Sequence, residues 1–113
     1  MKGSIIAEDP PLVLRVSGLT LSSSTVRIGA SFSAAFTGSN LTDLTYFDLR
    51  YRSPGSSVDQ EAQNWQRGVS GTHDVAPGTA AGTWTVTGVR PHQESTSHSG
   101  DFVAVSVPLV VSP

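Results

Sequence analysis

Apolar and polar residues alternate with a period of two along several segments of the chain. Side chains of a β-strand point alternately to the two faces of a sheet, so this period predicts strands with one buried and one wet face. The alternation is clearest in five segments, at 12–16, 32–36, 47–51, 84–88 and 103–111. Two weaker strands are predicted at 25–28 and 68–75.

No segment has the pattern of a stable helix. An amphipathic helix needs apolar residues at a period near 3.6 over roughly ten or more residues. The one candidate, at 58–65, is too short to be stable alone. Turn-forming residues separate the predicted strands at 37–40, 53–57, 76–79 and 95–100. The chain is therefore predicted to be all-β, an antiparallel two-layer β-sandwich of seven or eight strands.

The alternation also predicts which side chains form the interior of the sandwich. Eight apolar residues of the strongest segments are expected to face inward: Phe32, Phe36, Leu49, Trp84, Val86, Val103, Val105 and Val107. Trp84 is the largest of them, so Trp84→Ala should remove about 3–5 kcal/mol of stability if this side chain lies in the core.

Length and composition limit the class of protein. The chain has 113 residues, which suits one domain with one core. We interpret 1–10 as an expression remnant followed by a linker, and 11–113 as a single domain. Charged residues are 14% of the chain and the net charge is −2. A binder of nucleic acid or of a membrane surface needs a basic face, so neither partner is expected.

Three short motifs resemble bacterial immunoglobulin-like domains, a superfamily that includes fibronectin III-like modules. They are the strand ending at 36–41 (FTGSNL), the strand start at 81–86 (AGTWTV) and the valine-rich closing strand at 102–113. The cysteine pair and the tyrosine corner of antibody-type domains are missing. The resemblance implies a non-catalytic accessory or spacer module of a larger bacterial protein, secreted or on the cell surface. Its partners would be the neighbouring domains of the parent chain, which it would stabilise or present.

A carbohydrate-binding module is the alternative function. Trp65 lies among amides and arginine, in the segment 63–67 (QNWQR). An aromatic ring flanked by such groups is how sugar-binding modules hold a pyranose ring. Trp65, with Tyr46 or Arg67, would then bind a polysaccharide. The other interpretation is that Trp65 covers an open end of the core, with its indole N–H bonded to a neighbour.

Other chemistry has little support in the sequence. Cysteine is absent, which excludes disulfides, thiolate zinc sites and a cysteine nucleophile. No Gly-x-Ser-x-Gly elbow precedes a helix, so the pattern of a serine hydrolase is missing. The only lysine, Lys2, lies outside the predicted domain, so no lysine isopeptide bond can form within it. We therefore expect no enzymatic activity and no cofactor.

Metal binding is also not expected. The histidines His73, His92 and His98 lack the close spacing typical of zinc ligands. The polar loop from Glu94 to Asp101 is a weak calcium candidate, because carboxylate and hydroxyl oxygens suit a hard cation.

Overall fold

The computed structural model describes residues 13–113, and these residues form strands, turns and loops without a helix. The all-β prediction is confirmed for this part of the chain. It has eight strands: β1 (Arg15–Leu21), β2 (Thr25–Arg27), β3 (Ser31–Ser39), β4 (Tyr46–Arg52), β5 (Gln60–Arg67), β6 (Ser70–Asp74), β7 (Gly82–His92) and β8 (Val103–Ser112). No helix within 13–113 is long and apolar enough to cross a membrane. The interpretation of 1–10 lies outside the described residues.

The strands form two sheets. One has three strands in the order β1-β3-β6, and the other has five in the order β2-β8-β7-β4-β5. All described pairs are antiparallel except one, since β2 runs parallel to β8 from Thr25 opposite Val110 to Arg27 opposite Ser112. The prediction of a purely antiparallel sandwich was therefore wrong for the five-stranded sheet, which is mixed. The alternation in a three-residue strand is too short to predict which strand it pairs with, or whether the pair is parallel.

The two sheets curl towards each other where β5 passes into β6. Only Gly68 and Val69 separate these strands, although they belong to different sheets. Gly68 has a φ of 93°, and its N–H donates to the Thr45 carbonyl at 2.7 Å. A Cβ at this position would lie 3.1 Å from the Asp43 carbonyl oxygen, so the tight passage requires glycine. The sheets consequently form a half-closed barrel on this side.

The apolar core lies between the sheets, as the alternation predicted for most positions. Phe36 and Leu49 are buried. Five further expected residues are half-buried and pack against the core: Phe32, Trp84, Val86, Val105 and Val107. The centre of the core also contains Phe47, whose ring stacks on Phe36 with centroids 4.0 Å apart.

Val103 was predicted to face the core but is 39% exposed. It is the first residue of β8, at the end of the gap between the sheets, where it lines an open recess with Leu14 and Val16. The period of two gives the direction of a side chain but not how far the opposite sheet extends above it.

The start of β1 and the end of β8 lie at opposite ends of the fold. Arg15, at the start of β1, pairs with Ser39, from which a short loop leads to the start of β4. Val111, near the end of β8, pairs with Gly82 at the start of β7. Since β7 runs from there to the end where β4 begins, the chain passes through the sandwich from one end to the other.

Candidate functional site

Asp48 is the most deeply buried charged residue in the described part of the chain. Its neighbours in β4, Phe47 and Leu49, point into the core, so Asp48 points to the outer face of the five-stranded sheet. An outer face is expected to be wet, yet Asp48 is 0% exposed. A buried carboxylate is stable only if donors or a cation compensate it, and the surrounding strands supply the donors.

Four groups surround the Asp48 carboxylate. The Asn64 backbone N–H and His92 Nε2 each lie 2.8 Å from Oδ1. Arg90 Nη2 lies 2.8 Å from Oδ2, and His98 Nδ1 lies 3.0 Å from it. These groups come from β5, from β7 and from the loop between β7 and β8. One side chain of β4 therefore ties three other segments together.

A bulge in β5 directs the Asn64 N–H to the carboxylate. Between the pairs Phe47–Gln66 and Leu49–Ala62, β4 has one residue and β5 has three. Asn64 is the middle one of the three and has a φ of 51°, a left-handed conformation that asparagine tolerates better than most residues. The extra residues turn a backbone N–H out of the sheet ladder and towards the outer face.

The electrostatics of the cluster keep Asp48 ionised. Burial alone would raise the pKa of this carboxyl, because a charge is less stable away from water. The hydrogen bonds from the Asn64 backbone and from the His98, His92 and Arg90 side chains outweigh burial and lower the pKa to about 2. At neutral pH the carboxylate can therefore only accept hydrogen bonds.

His92 faces an acceptor with each ring nitrogen. Its Nδ1 lies 2.7 Å from the Glu94 carbonyl oxygen, and its Nε2 faces Asp48. Neither acceptor has a hydrogen to donate, so each of these two contacts can be a hydrogen bond only with the ring nitrogen as its donor. The ring also stacks on Tyr46, with centroids 5.6 Å apart.

Arg90 connects Asp48 to a second carboxylate and to an aromatic ring. Its Nη2 lies 2.9 Å from Glu61 Oε2, and its guanidinium lies 4.3 Å from the centroid of Phe102. Phe102 can pack closely against β7 because it faces Gly88. A Cβ at that position would lie 3.0 Å from the Phe102 Cβ. The two carboxylates therefore share the charge of one guanidinium.

The structure separates the three residues of the carbohydrate alternative. Tyr46 and Arg67 lie together on the outer face, with the Arg67 guanidinium 4.9 Å from the Tyr46 ring centroid. Trp65 is half-buried on the inner side and stacks on His73, with centroids 3.7 Å apart and planes 8° from parallel. Its ring packs against the core, so the three residues do not form one binding surface.

The structure brings only some of the metal candidates from the sequence together. His92 and His98 meet beside Asp48, with ring centroids 4.7 Å apart. His73 lies inside and stacks on both Trp65 and Phe32. Glu94 and Asp101, the weak calcium candidates, are both exposed.

An apolar cleft between the sheets is the second feature of functional interest. Its volume is about 480 Å³, and it is lined mainly by core residues together with Tyr51, Trp65 and Trp84. His73 is a polar group in its wall, and burial lowers the pKa of this histidine. The His73 Nε2 lies 2.7 Å from Gln66 Oε1. The Gln66 amide nitrogen donates to the Gly68 carbonyl, which leaves the amide oxygen facing His73. Since that oxygen can only accept, His73 Nε2 is the donor.

Sequence reasoning missed Asp48, Arg90 and Glu61. Asp48 alternates with apolar residues and therefore has the pattern of a polar residue on a wet face. Nothing in that pattern shows that a loop and a phenylalanine cover the face. The arrangement brings one carboxylate and two imidazoles together, with their oxygen and nitrogen atoms within 4.8 Å of one another.

Comparison of the chain with protein-family models, with curated proteins and with solved structures finds no match. The geometry of the chain itself must therefore support any functional assignment.

Proposed function

We propose that this chain is a non-catalytic immunoglobulin-like module that spaces, stabilises or presents neighbouring domains of a larger bacterial protein, secreted or on the cell surface. The bacterial and extracellular setting comes from the sequence resemblance.

The strand order supports the immunoglobulin-like part of this proposal. If the strands are lettered A, A′, B, C, C′, E, F and G in chain order, the sheets read A-B-E and A′-G-F-C-C′. Immunoglobulin domains likewise place A, B and E in one sheet and C, F and G in the other. The half-closed side at Gly68 is a departure, because there the chain crosses between sheets almost without a loop.

The placement of the strand ends carries the spacer function. The chain reaches β1 at one end of the sandwich and leaves β8 at the other. A domain with this geometry separates the neighbouring domains, joined before β1 and after β8, by its own length. A domain whose first and last strands ended side by side would instead project as a branch.

The parallel pair of β2 and β8 gives this spacer a way to resist tension. Tension drawn through the two ends first loads β1, which pairs with β3, and once β1 yields it pulls β2 and β8 past each other along their length. All hydrogen bonds of the pair, including Val110 N–H to the Ser24 carbonyl at 2.8 Å, are then sheared together. Pulling β8 away from β7 at its terminal end would break bonds one after another and would need less force.

Single-molecule pulling tests the spacer function. The chain lacks cysteine, so handles can be placed at chosen sites through introduced cysteines. One molecule carries handles at its two ends, and the control carries one at the C-terminal end and one at Thr79→Cys, in the loop before β7. We expect the first geometry to unfold at clearly higher force. Equal forces, or weaker resistance through the ends, would contradict a spacer.

A binding experiment tests the carbohydrate alternative. A panel of soluble polysaccharides is titrated against the intrinsic tryptophan fluorescence of the wild type and of Trp65→Ala. The proposal predicts no saturable change. A saturable change that disappears in Trp65→Ala, while the circular dichroism spectrum is kept, would replace the spacer function with polysaccharide binding.

A further inference from the structure

We propose that Asp48, His92 and His98 form a Zn²⁺ site on the outer face of the five-stranded sheet. The site goes beyond the spacer function and does not depend on it. The carboxylate oxygen and the two ring nitrogens that would ligate the ion all lie within 4.8 Å of one another. One carboxylate and two imidazoles are ligands that zinc takes readily, with a fourth position left for water.

The orientation of His92 is the first argument for the site. Its Nδ1–H donates to the Glu94 carbonyl at 2.7 Å, which directs Nε2 at the centre of the cluster. Histidines that ligate metals are usually held in this way, with one ring nitrogen bonded to a carbonyl or carboxylate and the other on the ion.

The placement of the carboxylate is the second argument. Asp48 is 0% exposed, and its two oxygens face His92 Nε2 at 2.8 Å and His98 Nδ1 at 3.0 Å. A Zn²⁺ ion that binds here replaces the hydrogen on any ring nitrogen that it takes as a ligand: that N–H bond breaks, its proton goes to solvent, and an N–Zn bond forms.

The distances require only a small rearrangement. His92 Nε2 and His98 Nδ1 lie 2.8 Å and 3.0 Å from the two carboxylate oxygens. Two ligands of a tetrahedral zinc ion, each at about 2.1 Å from it, lie about 3.4 Å apart. The three ligating atoms lie within 4.8 Å of one another, so the two short contacts must lengthen and any pair wider than this separation must close. His98 is on a loop and its side chain is 20% exposed, so we expect the adjustment there.

Arg90 is the group that opposes a cation here. Its Nη2 lies 2.8 Å from Asp48 Oδ2. The same nitrogen lies 2.9 Å from Glu61 Oε2, so two carboxylates share one guanidinium charge. The cluster therefore keeps a net negative charge before any histidine is protonated. Arg90 should weaken the site without abolishing it, and its contacts with Asp48 Oδ2, from Nε at 3.0 Å and from Nη2 at 2.8 Å, orient the carboxylate.

The chemistry of the donors sets the expected selectivity. Imidazole nitrogen suits zinc and neighbouring transition metals, whereas Ca²⁺ and Mg²⁺ require oxygen ligands. The two nitrogen donors thus predict binding of Zn²⁺ and no binding of Ca²⁺ at the same concentration.

Titration calorimetry with ZnCl₂ tests the site on the full chain. We compare the wild type with His98→Gln, and use His73→Gln as the matched control because His73 lies between the sheets. The wild type and His73→Gln should bind one Zn²⁺ per chain with similar affinity, and His98→Gln should bind at least tenfold more weakly.

Three results would overturn the proposal: no zinc binding up to millimolar concentration, equal affinity in His98→Gln, or equal binding of Ca²⁺. If His98→Gln does not fold, the ring resonances of the wild type decide. Zn²⁺ should then shift the signals of His92 and His98 and leave those of His73 in place. Shifts at His73, or none at the other two, would exclude the site.

Discussion

At Asp48 both faces of β4 are buried, but they are buried in different ways. On the inner face, Phe47 and Leu49 pack among apolar side chains from both sheets. On the outer face, Asp48 is enclosed by the hydrogen bonds of charged and polar groups, without a second sheet above it. The inner face excludes water by packing, and the outer face by pairing each charge with a partner.

This difference changes what a substitution does. An apolar core loses stability roughly in proportion to the volume removed. A buried ionic network fails more abruptly, because removing one partner leaves the other charge buried without compensation. The two faces therefore respond differently to substitutions of similar size.

The largest expected effect is on the inner face. Phe47 is fully buried and stacks on Phe36, so Phe47→Ala should lower the free energy of unfolding by about 3–5 kcal/mol. Urea unfolding measures the change. Leu44→Ala is the control, since Leu44 is 65% exposed and its loss should hardly move the midpoint. A small effect of Phe47→Ala would place the core elsewhere.

Arg90 gives the corresponding test on the outer face. Arg90→Met keeps most of the length of the side chain but removes the charge that compensates Asp48, and should lower stability by about 3 kcal/mol. The matched variant is Arg52→Met, because Arg52 Nε pairs with Asp59 at 3.0 Å on an exposed surface. Exposed ion pairs contribute little, so similar losses in the two variants would contradict an enclosed outer face.

Trp84 sharpens the boundary of the inner core. It is half-buried, packs against the core and donates its indole N–H to the Ala80 carbonyl at 2.9 Å. Because part of the ring already contacts water, Trp84→Ala should remove about 2 kcal/mol, below the range expected from the sequence. A loss as large as that of Phe47→Ala, again in urea, would show that the cleft beside it is closed in solution.

His73 gives the smallest effect, a dependence on pH. Burial lowers its pKa below that of the unfolded chain, so the unfolded state binds a proton more readily. Stability from this group is therefore complete above the pKa of the unfolded chain, about 6.5, and falls as the pH decreases below it. Between pH 7.5 and 5, the wild type should lose more stability than His73→Gln in urea with EDTA. Identical losses would mean that His73 is not buried.

The inner face could largely be predicted from the sequence, since period-two alternation reports one buried face directly. The strand β5 could not: its sequence, QEAQNWQR, is polar because it lies at the edge of the five-stranded sheet. Its bulge at Asn64 has no signal in the alternation. Trp65 packs against the core and stacks on His73, a placement that its polar sequence neighbours left open.

The outer face could not be predicted because its parts are distant in the sequence. Asp48 and His98 are 50 positions apart, and they meet only because β4 pairs with β7, whose following loop folds back over the sheet. The alternation of β4 predicts which way Asp48 points. Whether that direction is wet depends on the conformation of a loop, which strand patterns do not describe.

The same chemical change at two carboxylates tests the central claim most directly, that Asp48 organises a second, polar core. Asp48→Asn and Asp59→Asn each replace one oxygen by an amide nitrogen, one inside the cluster and one on the surface. At pH 7, with EDTA present, urea unfolding should show a loss of about 3 kcal/mol for Asp48→Asn and almost no change for Asp59→Asn. Two equally small losses would contradict the account, because Asp48 would then be an ordinary surface residue.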